Sequence, residues 1–193
     1  MGYAAKRDPF FPGRFGGKLA LMTKTKRELK TIVYQGGLVK FSIPSTWREE
    51  YEPDGGGIFH EEGPDTGTLR LNVLTMKAPS ELTQDSVTDV LSGHGDGREI
   101  RRLSNGNAVA TYMLHTEETG EALCLHFWEV ANPLPPRHMR IGIFSYTVLA
   151  SQDSDTNIQV ELQLLDTSIC RAEFAEIMGE SMGPPAKSWW KFW

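Results

Sequence analysis

The chain has 193 residues, 39% hydrophobic and 23% charged, which suits one packed domain with tails and sets aside global disorder. A net charge of −5 argues against a nucleic-acid partner, because phosphate binding needs clustered cations. No run approaches the ~18 apolar residues of a membrane span, and Asp8, Pro9 and Pro12 interrupt the apolar segment that a secretory signal needs, so a cytoplasmic location is the expectation.

Residues 1–29 read as an extended leader, broken by Pro9, Pro12, Gly13, Gly16 and Gly17. The basic run of Lys18, Lys24, Lys26, Arg27 and Lys30 reads as a solvated segment ahead of the alternative, a phosphate or anionic-lipid patch. Thr31–Tyr34 and Val39–Ile43 form a hairpin about Gly36–Gly37, with Val39, Phe41 and Ile43 on one face. Pro44 stops the second strand, and Trp47 follows it. Strands over Ile58–Glu62 and Thr68–Lys77 come next.

Ser80 opens a helix through Leu82, Val87, Val90 and Leu91, which Gly93, Gly95 and Gly97 stop. Strands follow over Glu99–Leu103, Ala108–Thr116, Ala122–Val130 and Met139–Leu149. The last two are apolar on both faces, so they belong at the centre of a sheet covered on both sides. Asp155–Ile177 reads as an amphipathic helix on Ile158, Leu162, Leu165 and Ile169, with Asp155 as its N-cap. The class is α+β: an antiparallel sheet between helices, an α/β/α sandwich in the order ββββαββββα, over residues 30–182. Residues 183–193 form a separate Pro/aromatic tail.

That order, with Phe41–Ser42–Ile43–Pro44–Ser45–Thr46–Trp47, resembles the PsbP-like fold. An extrinsic subunit of photosystem II gives the fold its name; a Ran-binding import factor and bacterial chaperones of type VI secretion effectors look like it too. The resemblance implies a binding or assembly role, by analogy of fold.

Four clusters carry possible chemistry. His60, Glu61 and Glu62 with Asp54 and Asp65 read as a solvated strand or a cation site. Gly93–His94–Gly95–Asp96–Gly97 follows a helix instead of preceding one, so it reads as a helix stop and not a phosphate cradle. Pairing Glu118 with Glu121 sets His115 opposite Cys124 and Met113 opposite His126. The bland reading is a buried thiol beside a bonded histidine. The chemical one is a thiol- or metal-dependent hydrolase using Cys124 with His115 or His126, which needs an orienting group and a cleft. Cys124 and Cys170 both read as buried free thiols, and Trp128 and Trp47 as core.

No catalytic motif is present: there is no Gly-x-Ser-x-Gly, no phosphate loop and no His–Glu–x–x–His. Catalytic residues, cofactors and metals are therefore expected to be none. The tail is the unusual segment, because Trp189, Trp190 and Trp193 are three of the five tryptophans. With Phe192, Lys187 and Lys191 it makes an aromatic anchor interleaved with cations. Burying two such rings contributes several kcal/mol at ~25 cal/mol per Å² of apolar area. It folds back on its own domain, docks on a protein partner or second copy, or enters a bilayer surface. The leading reading is a non-catalytic adaptor, chaperone or immunity-like factor that binds protein through its sheet and through Trp189, Trp190, Phe192 and Trp193. A peripheral membrane protein held by the tail is the other alternative.

Overall fold

The longest strands of this chain alternate apolar and small residues on both faces, and they lie at the middle of its sheet. In the computed structural model, residues 7–8, 27–53, 55–63, 66–78, 80–93 and 97–176 are described. The elements are β1 (Arg7–Asp8), β2 (Leu29–Tyr34), β3 (Val39–Pro44), β4 (Arg48–Tyr51), β5 (Gly57–His60), β6 (Thr68–Lys77), α1 (Gln84–Ser92), β7 (Glu99–Arg102), β8 (Ala108–Glu118), β9 (Glu121–Leu134), β10 (His138–Leu149), α2 (Thr156–Ile169) and β11 (Glu173–Phe174). The fold is α+β.

The main sheet is antiparallel, in the order β1-β8-β9-β10-β6-β5-β4, with β7 also on β8. β9 and β10 are central, as two-faced burial requires. One face carries Ala108, Ala110, Ala131, Met139 and Ile141, on which α1 sets Val87 and Leu91. The small alanines let the helix approach the strands closely. The other face carries Leu69, Leu71, Val109, Trp128, Val130, Phe144 and Tyr146.

That second face is covered by a mixed layer. β2, β3 and β11 form a small sheet of their own, and α2 runs beside β3. Ser168 Oγ in α2 accepts from Ser42 N at 2.8 Å and donates to Ser42 O at 2.5 Å. A helix side chain thus takes over the edge of β3 where β11 stops. Phe41 packs edge-on against Phe59 at 5.3 Å and Phe144 at 5.1 Å, joining the small sheet to the large one. Trp47 is buried and stacks on Tyr146 at 6.0 Å.

The order departs from the ββββαββββα expectation in three places. β4 is an additional strand: Arg48, Glu49, Glu50 and Tyr51 are all exposed at the end of the sheet, so no apolar alternation announces it. β1 lies inside the expected leader and pairs with Leu114 and Met113 of β8. α2 ends at Ile169, not Ile177, and β11 follows it. There Phe174 reaches the bare backbone of Gly142, where a Cβ would come within 3.2 Å of its ring. The hairpin β2–β3 forms as expected but belongs to the second layer, not to the main sheet.

α1 begins at Gln84 and not at Ser80, because Thr83 and Ser86 make a capping box. Thr83 Oγ1 accepts from Ser86 N at 3.3 Å, and Ser86 Oγ accepts from Thr83 N at 3.2 Å. Asp155 holds the N-cap position of α2 but makes no side-chain cap bond.

Candidate functional site

Hairpin register places the thiol–histidine group. β8 and β9 turn at Thr119 and Gly120, which both have positive φ, and Glu118 pairs with Glu121. His115 therefore faces Cys124 and Met113 faces His126, as the sequence predicts. These side chains share the face of the sheet that carries Trp128 and Val130.

The third group comes from elsewhere in the chain. Asp153, in the turn between β10 and α2, reaches His126 Nε2 with its Oδ1 at 2.6 Å. One ligand atom each of Cys124, His126 and Asp153 lies within 4.8 Å of the others. Cys124 Sγ also lies 3.1 Å from Met113 Sδ. His115 is exposed and stands outside this group. Asp153 is the member that sequence reading missed, since it sits 27 residues beyond His126 in a turn with no motif.

Burial decides what this thiol can do. Cys124 is fully buried. Burial, and then the neighbouring Asp153 carboxylate, push its thiol up to about 12. A nucleophile needs the thiolate, so Cys124 at neutral pH is a protonated, enclosed thiol. The orienting carboxylate that the hydrolase reading asked for is present, yet it holds the histidine on one side and disfavours the thiolate on the other. Burial lowers the basicity of His126, against the opposite effect of Asp153.

Cys170 differs from the buried thiol expected of it: it is half-buried at the end of α2. Burial, then the Asp166 carboxylate, push it up to about 11. Trp128 is core, as read, and its Nε1 donates to Asp166 Oδ1 at 3.0 Å. Arg101 pairs with the same oxygen at 2.6 Å.

Among the described residues the acidic strand gathers no set of three metal-type ligands. His60 pairs with Glu50 at 3.1 Å, Glu62 with Arg48, and Glu61 accepts from Thr46 at 3.3 Å. Asp54, Asp65 and the His94–Asp96 part of the glycine run lie outside the described residues, as do Trp189, Trp190, Phe192 and Trp193. α1 stops at Ser92, with Gly93 as its cap, ahead of that run.

The flank formed by β2 and β4 is the described surface that most resembles a binding edge. β2 is the last strand of the small sheet and β4 the last of the large one. They lie one above the other: Lys30 Nζ meets Glu49 Oε1 at 2.8 Å and donates to Trp47 O at 2.6 Å, and the Tyr34 and Tyr51 rings are 6.2 Å apart. Leu29, Val33 and Tyr51 are about half exposed, at 47%, 54% and 52%.

No family model matches the sequence, and no curated protein is similar to it. Solved structures do match. A crystal structure from Bacteroides thetaiotaomicron VPI-5482 is similar at TM-score 0.56 and 17% identity, over 81% of this chain and 51% of that one. The chain thus spans about half the length of that protein. LpqN of Mycobacterium tuberculosis, described as involved in cell envelope biogenesis, matches at TM-score 0.52 and 10% identity, over 77% of this chain and 91% of LpqN. Cyanobacterial PsbP (CyanoP) from Synechocystis sp. PCC 6803, of the group that the Phe41–Trp47 stretch resembles, matches at TM-score 0.45 and 14% identity, over 82% and 99%. The shared architecture rests on the first two, and at these identities what the chain shares with them is its fold.

Proposed function

We propose that this chain is a non-catalytic protein-binding module that takes an extended segment of its partner along β2. The observation that carries this reading is the edge itself. Among the described residues β2 pairs only with β3, and its outward side chains Leu29, Thr31 and Val33 are exposed. An added strand gains main-chain hydrogen bonds along such an edge, and alternate side chains supply specificity. β4 is guarded differently, since Arg48, Glu49 and Glu50 put charge on its edge. The aromatic tail supplies a second anchor in this reading, with Trp189, Trp190, Phe192 and Trp193 as hot spots on a protein surface.

The enclosed, protonated Cys124 supports a role outside catalysis. An adaptor or chaperone for another protein fits these features better than a hydrolase does.

The test compares the whole chain, Val33→Pro and a chain ending at residue 185 as baits in an extract of the source cells. Specific partners captured by the whole chain, then lost with Val33→Pro and weakened by the truncation, support the reading. Partners retained by both variants overturn it. Flotation of the whole chain with anionic liposomes, lost on truncation, assigns the tail to a membrane surface instead.

A further inference from the structure

We propose that Cys124, His126 and Asp153, with Met113 as a fourth and weaker donor, form a binding site for a thiophilic d10 cation, Zn²⁺ or Cu⁺. The donor set has the right chemistry. A thiolate and an imidazole suit both ions, a carboxylate favours zinc, and a thioether favours cuprous copper.

The spacing is close to that of an occupied site. The three principal donor atoms lie within 4.8 Å of one another, and Met113 Sδ lies 3.1 Å from Cys124 Sγ. Tetrahedral bonds of ~2.0–2.3 Å hold neighbouring donors about 3.3–3.8 Å apart. The His126–Asp153 contact of 2.6 Å and the Cys124–Met113 contact therefore open by about 1 Å or less to admit the ion. Three of the four donors stand on adjacent strands of the main sheet, which holds them in register.

Asp153 provides the entrance. Its side chain is 29% exposed, whereas that of His126 is 4% exposed and Cys124 is fully buried. An ion arriving from solvent meets the carboxylate first and the sulfur last. A cation also suits the charges of the group: the Asp153 carboxylate lies within 4.8 Å of Cys124 Sγ, the atom that becomes a thiolate on binding. On binding, the thiol proton leaves to solvent, a metal–sulfur bond forms and no electron is transferred. A bound ion would tie the turn before α2 to the centre of the sheet.

The experiment uses the reduced full-length chain, titrated with Co²⁺ as a spectroscopic probe and then with Zn²⁺, or with Cu⁺ under anaerobic conditions. One equivalent of Co²⁺ is expected to give a thiolate-to-metal absorption band, which either d10 ion abolishes. Cys124→Ala removes the band and Cys170→Ala and His115→Gln keep it. Asp153→Asn weakens affinity at least tenfold. Met113→Leu lowers Cu⁺ affinity more than Zn²⁺ affinity if copper is the natural ion, and affects both little if zinc is. Metal raises the Tm of the parent chain and not that of Cys124→Ala. Should Cys124→Ala fail to fold, Asp153→Asn, at a partly exposed turn, carries the test. The proposal is overturned if the parent chain gives no such band, or if the band survives Cys124→Ala.

Discussion

Replacing Gly67 by alanine tests how tightly the two layers are joined. Gly67 is buried against the edge of Tyr146. An added Cβ would stand 2.1 Å from Tyr146 Cζ and 2.2 Å from its hydroxyl oxygen. Carbon contacts relax at ~3.5–4.0 Å, so the ring has to retreat by more than about 1 Å. It has no room to do so freely. One of its faces is stacked on Trp47, with the planes 9° apart, and its hydroxyl donates to Glu161 Oε2 at 2.5 Å. Glu161 is itself buried and pairs with Arg27 at 2.6 Å. Overpacking of this kind costs about 1–3 kcal/mol. Losing a hydrogen bond to a buried charge adds about 1.5–3 kcal/mol. Gly67→Ala is therefore expected to lose about 2.5–6 kcal/mol in urea unfolding, the sum of these two contributions. Gly106→Ala is the control. Gly106 has φ +87 with open space around its Cβ position, so only backbone strain of about 1–2 kcal/mol applies. A Gly67→Ala midpoint equal to or above that of Gly106→Ala, at unchanged m-value, would refute the packing argument.

Further expectations concern the edges, the core and the thiols. Tyr146→Phe leaves the Glu161 carboxylate without its hydroxyl donor and should cost about 1.5–3 kcal/mol by denaturant titration; a change within 0.5 kcal/mol, about the scatter of neutral surface changes, counts against that bond. Leu165→Ala removes a fully buried side chain from α2 and should cost about 2–5 kcal/mol, while Val160→Ala, on the exposed face of the same helix, should stay within about 0.5 kcal/mol of the parent. The Lys30 ammonium, by hydrogen bonding, holds the Glu49 carboxyl below its ordinary 4.5. A depressed folded-state value means that its stabilisation is present above pH 4.5 and is lost as pH falls through the lower folded value, so Glu49→Gln should show a shallower loss of Tm on acidification than the parent; parallel curves contradict the assignment. With Cys124 and Cys170 pushed up to about 12 and about 11, neither should be alkylated at neutral pH at the rate of a free thiol until the chain is unfolded in denaturant; fast native labelling of Cys124 would revive the nucleophile reading.

Much of this architecture is written in local pattern. Two-face hydrophobicity put β9 and β10 at the sheet centre, because only a strand covered on both sides keeps both sets of side chains from water. Tight turn chemistry at Thr119 and Gly120 set the register, and register alone brought His115 opposite Cys124 and Met113 opposite His126. β4 left no such trace, since a solvated edge strand buries nothing and its charges look like those of a loop. The end of α2 was equally hidden, because β11 forms by pairing Glu173 and Phe174 with Lys40 and Val39 of β3, far away in sequence, while the Phe174 ring lies over Gly142.

The sequence by itself determined the α+β class, the buried faces and the neighbours of Cys124 along the hairpin, because each follows from alternation and turn geometry within a few residues. Only the tertiary structure decided that the first hairpin leaves the main sheet for a layer shared with α2. It alone brought Asp153 to His126, and it alone enclosed Cys124 so that its proton is retained. Those outcomes depend on which distant surfaces meet, and on the desolvation and charge that follow from their meeting, neither of which is encoded at any one position of the chain.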